Sequence, residues 1–185
     1  MFNLYYNAFN KYLMNIILMG YMGSGKTIIG LELSRRLGLK LIDLDLYIEE
    51  NEKLSVQSLF KLKGDLYFRN IETKYLKKIL RENKNIILSL GGGTPCYNNN
   101  LEIISSSYNL TFYLKNSNIQ LAKRLINEKE KRPIISEIDS EEKMIEFVSK
   151  HLFEREYFYM KSGFTINCND QDPERICDKI ISNLN

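Results

Sequence analysis

The sequence predicts an α/β fold, a three-layer α/β/α arrangement around a five-stranded parallel sheet, and two observations carry this prediction. Short apolar runs typical of buried strands occupy residues 15–19, 40–42, 86–90, 110–114 and 164–167. Apolar residues at three- and four-residue spacing, typical of amphipathic helices, occupy residues 26–37, 65–80, 119–127, 141–160 and 174–184. Strands that alternate with helices form a parallel, doubly wound sheet, whose ligand site lies at the carboxyl ends of the strands.

The length of 185 residues fits one compact domain with its own core. We assign residues 14–185 to that domain and expect residues 1–13 to form a poorly ordered N-terminal extension without the pattern of a signal peptide. No apolar run approaches the roughly 20 residues of a membrane helix. Three cysteines without a paired spacing (Cys96, Cys168 and Cys177) indicate reduced thiols, and therefore a cytoplasmic protein.

The charge pattern favours a small-molecule partner. A formal net charge of +3, spread evenly along the chain, lacks the clustered basic face of a nucleic-acid groove. We therefore expect no nucleic acid and no membrane as partners. We also expect a monomer, although the sequence carries no signal for oligomeric state.

The segment from Gly20 to Thr27 matches the complete phosphate-loop pattern and stands between a predicted strand and a predicted helix. In this pattern Lys26 bridges the β- and γ-phosphates, and the hydroxyl of Thr27 ligates Mg²⁺. The alternative is an ordinary glycine-rich turn that caps a helix. The expected nucleotide contacts are Gly23, Ser24, Gly25, Lys26, Thr27 and Ile28.

Two carboxylates, Asp43 and Asp45, follow the second predicted strand, and strand alternation places both on one face. Without further context, two solvated acids in a turn are the alternative. On the next predicted helix Arg69 precedes Glu72 by three residues, a spacing that also suits an ordinary surface ion pair. Asp65 is a plausible N-cap of that helix.

Arg155 lies on the apolar face of its predicted helix. The other residues of this apolar stripe along the helix are Met144, Val148, Leu152 and Tyr159. An inward-facing guanidinium needs a partner, unless its aliphatic stem carries the charged head out to solvent.

Two segments are candidates for ligand-binding loops. Gly91, Gly92 and Gly93 follow the third predicted strand and either approach a ligand closely or form a flexible turn. Residues 127–139, dense in charge and containing Arg132 and Pro133, are predicted to be a mobile lid rather than a solvated charge run.

These motifs, from the phosphate loop through Asp43-x-Asp45, Phe68-Arg69-x-x-Glu72, the glycine run, Lys131-Arg132-Pro133 and Glu154-Arg155, resemble the shikimate kinase family in order and spacing. The resemblance implies a P-loop kinase fold with a lid. It also implies transfer of the γ-phosphoryl group of ATP to the 3-hydroxyl of shikimate, with Mg²⁺, in chorismate and aromatic amino-acid biosynthesis.

The resemblance also assigns roles to residues. The implied catalytic residues are Lys26, Asp45 and Arg132, and the implied Mg²⁺ ligands are Thr27 and Asp43. The implied shikimate ligands are Asp45, Arg69, Glu72, Gly91, Gly92, Gly93 and Arg155, with Glu72 holding Arg69 and Gly92 offering its N–H. Arg124 and Pro173 would contact adenine, and Arg132 would reach the transferring phosphate.

The chain departs from the family pattern at two places. Residues 124–132 are one residue longer than the family form, and Lys161-Ser162-Gly163 replaces an Ile-Ala-Asp segment. Two other functions are compatible with the phosphate loop. One is a different small-molecule kinase, such as a gluconate kinase, and the other is a catalytically silent binding module, which the presence of Lys26, Asp45 and Arg155 disfavours.

Overall fold

The computed structural model describes residues 14–106, 108–129 and 133–184. The predicted extension at 1–13 and the lid arginine, Arg132, lie outside the described residues.

Five parallel strands form a single sheet in the order β2-β3-β1-β4-β5, which confirms the predicted fold class. Ile17 at the centre of the sheet is aligned with Leu88 on one side and Thr111 on the other. The strands are β1 (Asn15–Met19), β2 (Lys40–Asp43), β3 (Ile86–Ser89), β4 (Asn109–Lys115) and β5 (Phe164–Asn167).

Helices cover both faces of the sheet. They are α1 (Lys26–Leu37), α2 (Leu44–Glu52), α3 (Val56–Lys63), α4 (Asp65–Glu82), α5 (Asn100–Ile104), α6 (Asn118–Ile126), α7 (Glu141–Tyr159) and α8 (Pro173–Ser182). Short 3₁₀ turns occupy Thr94–Cys96 and Pro133–Ile135. Within the described part of the chain, no helix is both long and apolar enough to cross a membrane.

Successive residues of β1 alternate between two cores. Ile17 and Met19 pack into the larger core, and Ile16 and Leu18 pack into the other. All four side chains are fully buried, as expected for a central strand covered on both faces.

The sequence did not predict α2, α3 and α5. These helices have nine, eight and five residues, lengths at which helices are marginal in water without tertiary contacts. Completely buried apolar residues supply those contacts: Leu44 and Ile48 in α2, Leu59 in α3 and Ile104 in α5.

The topology brings three loops to one edge of the sheet. The phosphate loop follows β1, Asp43 and Asp45 lie at the end of β2, and the glycine run follows β3. Since β2, β3 and β1 are neighbours in the sheet, their carboxyl ends border one cleft.

The packing of α1 against the sheet can be tested by substituting two of its leucines. Leu33 is 0% exposed and Leu31 is 59% exposed. We expect Leu33→Ala to lower the free energy of unfolding by about 2–5 kcal/mol because it leaves a cavity against the sheet. Urea unfolding measures the change.

Leu31→Ala is the matched control, since it makes the same substitution in the same helix. It should change stability by less than about 0.5 kcal/mol. Equal losses for the two variants would contradict the assigned packing of α1.

Candidate active site

The phosphate loop joins β1 to α1 and leaves the start of that helix open. Gly23 (φ 76°) and Gly25 (φ 93°) adopt left-handed conformations that favour glycine. Gly25 occupies the N-cap position of α1, where no side chain caps the helix. The first N–H groups of α1, including that of the exposed Ile28, can therefore be offered to an anion.

Lys26 curls back over this loop. Its Nζ donates to the carbonyl oxygens of Gly20 and Tyr21, both at 2.9 Å, and lies 3.4 Å from Oγ of the buried Ser24. The ammonium group therefore lies against the backbone of the loop.

Thr27 and Asp43 lie side by side, as a shared Mg²⁺ site requires. Thr27 Oγ1 donates to Asp43 Oδ2 at 3.3 Å, so the two oxygen donors are in contact. In kinases Mg²⁺ is usually held by one or two protein oxygens together with phosphate and water, which this pair fits. Clusters of three or more His, Cys, Asp or Glu suited to a metal do not occur among the described residues.

The predicted alternation of Asp43 and Asp45 along a strand is wrong. Asp43 ends β2 and becomes the N-cap of α2, with Oδ1 accepting from the backbone N–H of Asp45 at 3.1 Å and of Leu46 at 3.4 Å. The capping hydrogen bonds turn the chain, and Asp45 therefore projects from the first helical turn.

Asp45 lies against the glycine run in a half-buried position. A Cβ on Gly91 would lie 2.7 Å from Asp45 Oδ1. Burial raises the pKa of Asp45 from its ordinary 3.8 to about 6, with a further contribution from the negative charges of Asp43 and Glu72. The positive charges of Lys26 and Arg69 oppose that rise.

Arg69 and Glu72 form a largely buried pair, so the alternative of an exposed surface ion pair is excluded. Nη1 of Arg69 donates to Glu72 Oε2 at 3.0 Å, and the side chains are 12% and 1% exposed. The other carboxylate oxygen of Glu72 accepts a 2.6 Å hydrogen bond from the hydroxyl of the buried Thr94. Both carboxylate oxygens of Glu72 are thus occupied in holding its neighbours.

The prediction of Asp65 as an N-cap is wrong. Gly64, with φ 83°, holds that position, and Asp65 is the first residue of α4. A positive φ favours glycine at this corner between α3 and α4. The carboxylate of Asp65 instead accepts from Nε of Arg69 at 3.3 Å.

The three glycines allow the backbone to pass between the predicted site residues. A Cβ on Gly92 would lie 3.2 Å from the backbone nitrogen of Met22 in the phosphate loop, and one on Gly93 would lie 2.9 Å from Nη1 of Arg69. The hydroxyl of Tyr159 donates to the carbonyl of Gly92. The close approach of neighbouring groups to the backbone, rather than the flexibility of a turn, therefore explains why glycine occupies all three positions.

Arg155 reaches the same cleft from α7. As predicted, its stripe faces inward, with Met144, Val148, Leu152 and Tyr159 buried. The guanidinium is half-buried, and its Cζ lies 5.9 Å from the ring centroid of Tyr21 in the phosphate loop. No carboxylate within residues 14–106, 108–129 and 133–184 lies within ion-pair distance of it.

Arg124 borders the phosphate loop on the other side. Its Nη1 donates to the carbonyl of Gly23 at 3.1 Å and to Oδ1 of Asn116 at 3.2 Å. Pro173 is the exposed first residue of α8, where a proline suits the helix start, and its contact with adenine stays a prediction.

Sequence reasoning missed three residues that position this site: Thr94, Asn116 and Tyr159. Thr94 follows the glycine run, and Asn116 follows β4 directly, so the carboxyl-end rule points to both. The buried Asn116 donates to the carbonyl of Ser24 at 3.4 Å while it accepts from Arg124. Tyr159 was predicted only as a core residue, since apolar spacing does not show where its hydroxyl binds.

Sequence comparison finds closely similar curated proteins. The shikimate kinase of Flavobacterium psychrophilum is 40% identical over 165 residues, which cover 89% of this chain and 95% of the relative. The shikimate kinase of Flavobacterium johnsoniae is 42% identical over 144 residues, covering 78% and 83% of the two chains.

Solved structures agree with the sequence comparison. Shikimate kinase from Bacteroides thetaiotaomicron superposes with a TM-score of 0.84 at 31% identity, covering 92% of this chain and 98% of that one. Shikimate kinase from Acinetobacter baumannii in complex with shikimate superposes with a TM-score of 0.83 at 27% identity, covering 96% of each chain.

A family model described as shikimate kinase matches residues 22–185, a span that includes most of the phosphate loop and the acceptor-side motifs. Because that match extends over most of the sequence and agrees with the curated relatives, the chain belongs to the shikimate kinase family of ATP-dependent kinases.

Proposed function

We propose that this chain phosphorylates the 3-hydroxyl of shikimate in the cleft between the phosphate loop and the glycine run, with Mg²⁺ accompanying ATP. One observation carries the proposal. The glycine run lies against Asp45 at Gly91, the phosphate loop at Gly92 and Arg69 at Gly93, so that a donor site and an acceptor site meet along one backbone segment.

The nucleotide half is assigned to the phosphate loop and its borders. Backbone N–H groups of residues 23–28 would bind the phosphates, and Lys26 would bridge the β- and γ-phosphates. Thr27 and Asp43 would hold a Mg²⁺ ion, which supplies neutralising charge to the phosphates when bound. The contact of Arg124 with Gly23 supports its assignment to the nucleotide side. Pro173 is assigned to the adenine side by the family resemblance alone.

The acceptor half is assigned to two arginines and one carboxylate. Arg69 and Arg155 would bind the carboxylate of shikimate through forked hydrogen bonds, with Glu72 and Thr94 fixing the head of Arg69. The N–H of Gly92 would contact the ring substituents of the substrate, with Gly91 and Gly93 lining its pocket.

Asp45 would orient the attacking hydroxyl. The hydroxyl oxygen forms a bond to the γ-phosphorus while the bond from that phosphorus to the bridging β-γ oxygen breaks, and ADP leaves. The hydroxyl proton passes to Asp45 late in the transfer, as the loose transition state of phosphoryl transfer allows. The raised pKa of Asp45 makes its carboxylate a better proton acceptor near neutral pH.

The lid is assigned to residues 127–139. On the described sides of this segment, Nζ of Lys129 donates to the carbonyl of Ile138 at 3.4 Å, and Ile135 is buried. These anchors support a loop fixed at its base. We assign Arg132 to stabilising the transferring phosphate.

We further propose that residues 14–185 act as one domain in a cytoplasmic monomer. The proposed donor and acceptor groups all come from one chain, so catalysis requires no second copy. The free cysteines Cys96, Cys168 and Cys177 suit a reducing compartment.

An ADP-release assay with shikimate and gluconate side by side tests this function. We expect turnover with shikimate and only background with gluconate, because the chain belongs to the shikimate kinase family and carries the acceptor-side residues of that family. Absence of shikimate-dependent ADP release from folded protein would overturn the proposal.

Asp45→Asn should lose activity and gain stability. Turnover should fall by about 10²- to 10⁴-fold because the amide cannot accept the proton, whereas the KM for ATP should stay within about threefold. The folded-state pKa lies above the unfolded value, so the charged carboxylate destabilises the fold above pH 6. The variant should therefore unfold at a higher temperature at pH 7.5, and this gain should vanish below about pH 4.

Asp139→Asn provides the control for this experiment. The hydrogen bond from Lys143 lowers the pKa of Asp139, so its neutralisation should bring no gain in melting temperature at pH 7.5.

An unchanged turnover rate for Asp45→Asn would contradict the proposed role of Asp45 in the mechanism.

A further inference from the structure

The guanidinium of Arg69 lies against an aromatic ring that the motifs of this family did not indicate. Its Cζ is 3.9 Å from the ring centroid of Tyr97, compared with 5.2 Å for Phe68 and 5.4 Å for Phe60. A cation within about 6 Å of a ring centroid is attracted by the negative face of the ring. Tyr97 is thus the nearest of three rings around this arginine.

The Tyr97 ring is carried by a segment that is tied to the helix of Arg69. Tyr97 directly follows the 3₁₀ turn of Thr94–Cys96, and its carbonyl accepts from the backbone N–H of Asn100 at 3.2 Å. The side chain of Asn98 donates to the carbonyl of Arg69 at 3.1 Å and to Oγ1 of Thr73 at 2.8 Å. These hydrogen bonds join the segment that carries the ring to the backbone of α4 at Arg69.

Part of the guanidinium group of Arg69 makes no hydrogen bond to the residues that the structure describes. Nε donates to Asp65 and Nη1 donates to Glu72, whereas Nη2 has no hydrogen-bond partner among the residues that the structure describes. The Asp65 contact is the weaker restraint, because it is 3.3 Å long and that carboxylate is 60% exposed. A ring whose centroid lies 3.9 Å from Cζ limits how far the guanidinium plane can tilt, and that tilt decides where Nη2 points.

We propose that Tyr97 is a positioning residue for Arg69 and thereby a determinant of affinity for the carboxylate of the acceptor. The ring holds the guanidinium plane so that Nη2 and the second N–H of Nη1 present a fork to the substrate. This inference rests on the proposed role of Arg69 in binding that carboxylate. Tyr97 itself contacts no reacting atom.

Steady-state kinetics of Tyr97→Leu and Tyr97→Phe test this role. Loss of the ring in Tyr97→Leu should raise the KM for shikimate about five- to thirty-fold, with kcat and the KM for ATP within about twofold. Tyr97→Phe keeps the aromatic face, and its KM for shikimate should equal that of the unmodified protein. Calorimetric titration with shikimate should show the same ranking in Kd.

Tyr108→Leu is the matched control. Tyr108 also contacts a cation, Lys84 at 5.1 Å, but it precedes β4 at the amino-terminal end of the sheet. This variant should leave both KM values unchanged. If Tyr97→Leu fails to fold, Tyr97→Met also removes the ring while it keeps a large apolar side chain, and the same rise is expected.

Arg69→Lys separates failure of this inference from failure of the proposed function. A raised KM for shikimate in Arg69→Lys but not in Tyr97→Leu would overturn the role of Tyr97 alone. An unchanged KM in Arg69→Lys would overturn the role of Arg69 and with it that of Tyr97. Equal rises in both KM values for Tyr97→Leu would indicate a general structural defect and would also contradict positioning.

Discussion

The close approach of the glycine run to its neighbours is the constraint on which the cleft depends. After β3 the backbone passes between the phosphate loop, Asp45 and Arg69, and a Cβ at any of the three positions would lie 3.2 Å or less from one of them. Contacts under 3.0 Å require something to shift, so side chains at Gly91 or Gly93 would displace Asp45 or Arg69. The glycines therefore set the distance between the donor and acceptor halves.

The carboxylates in this cleft differ in the groups that bind them. Glu72 is buried but bound by Arg69 and Thr94, and Asp43 is engaged by Thr27 and the start of α2. Asp45 is left as the carboxylate whose burial and acidic neighbours raise its pKa to about 6. The same burial that costs stability prepares this group to accept a proton, a conflict expected at functional sites.

Sequence reasoning predicted the elements whose signals are local and strong. All five strands were placed within two residues, and the phosphate loop was recognised from its full pattern. The inward face of Arg155 followed from helical spacing alone. The family resemblance then supplied the acceptor-side residues, whose spacing by itself also suited a surface ion pair and a solvated turn.

The remaining features depend on contacts between distant segments. Asp45 lies on a helix because Asp43 caps it, and the pattern of alternating residues gives no sign of that hydrogen bond. The cation–π contact of Arg69 with Tyr97 joins residues 28 positions apart, and the hydrogen bond from Tyr159 to Gly92 joins residues 67 apart. Such pairs become visible only when the fold brings their elements together.

The arrangement of the cleft is tested most directly by a crystal structure of the protein with shikimate and a non-hydrolysable ATP analogue. We expect the carboxylate of shikimate within about 3 Å of guanidinium nitrogens of both Arg69 and Arg155, with its 3-hydroxyl hydrogen-bonded to Asp45 and facing the γ-phosphate. A carboxylate bound away from both arginines, or a 3-hydroxyl turned away from Asp45, would contradict the proposed roles of these residues.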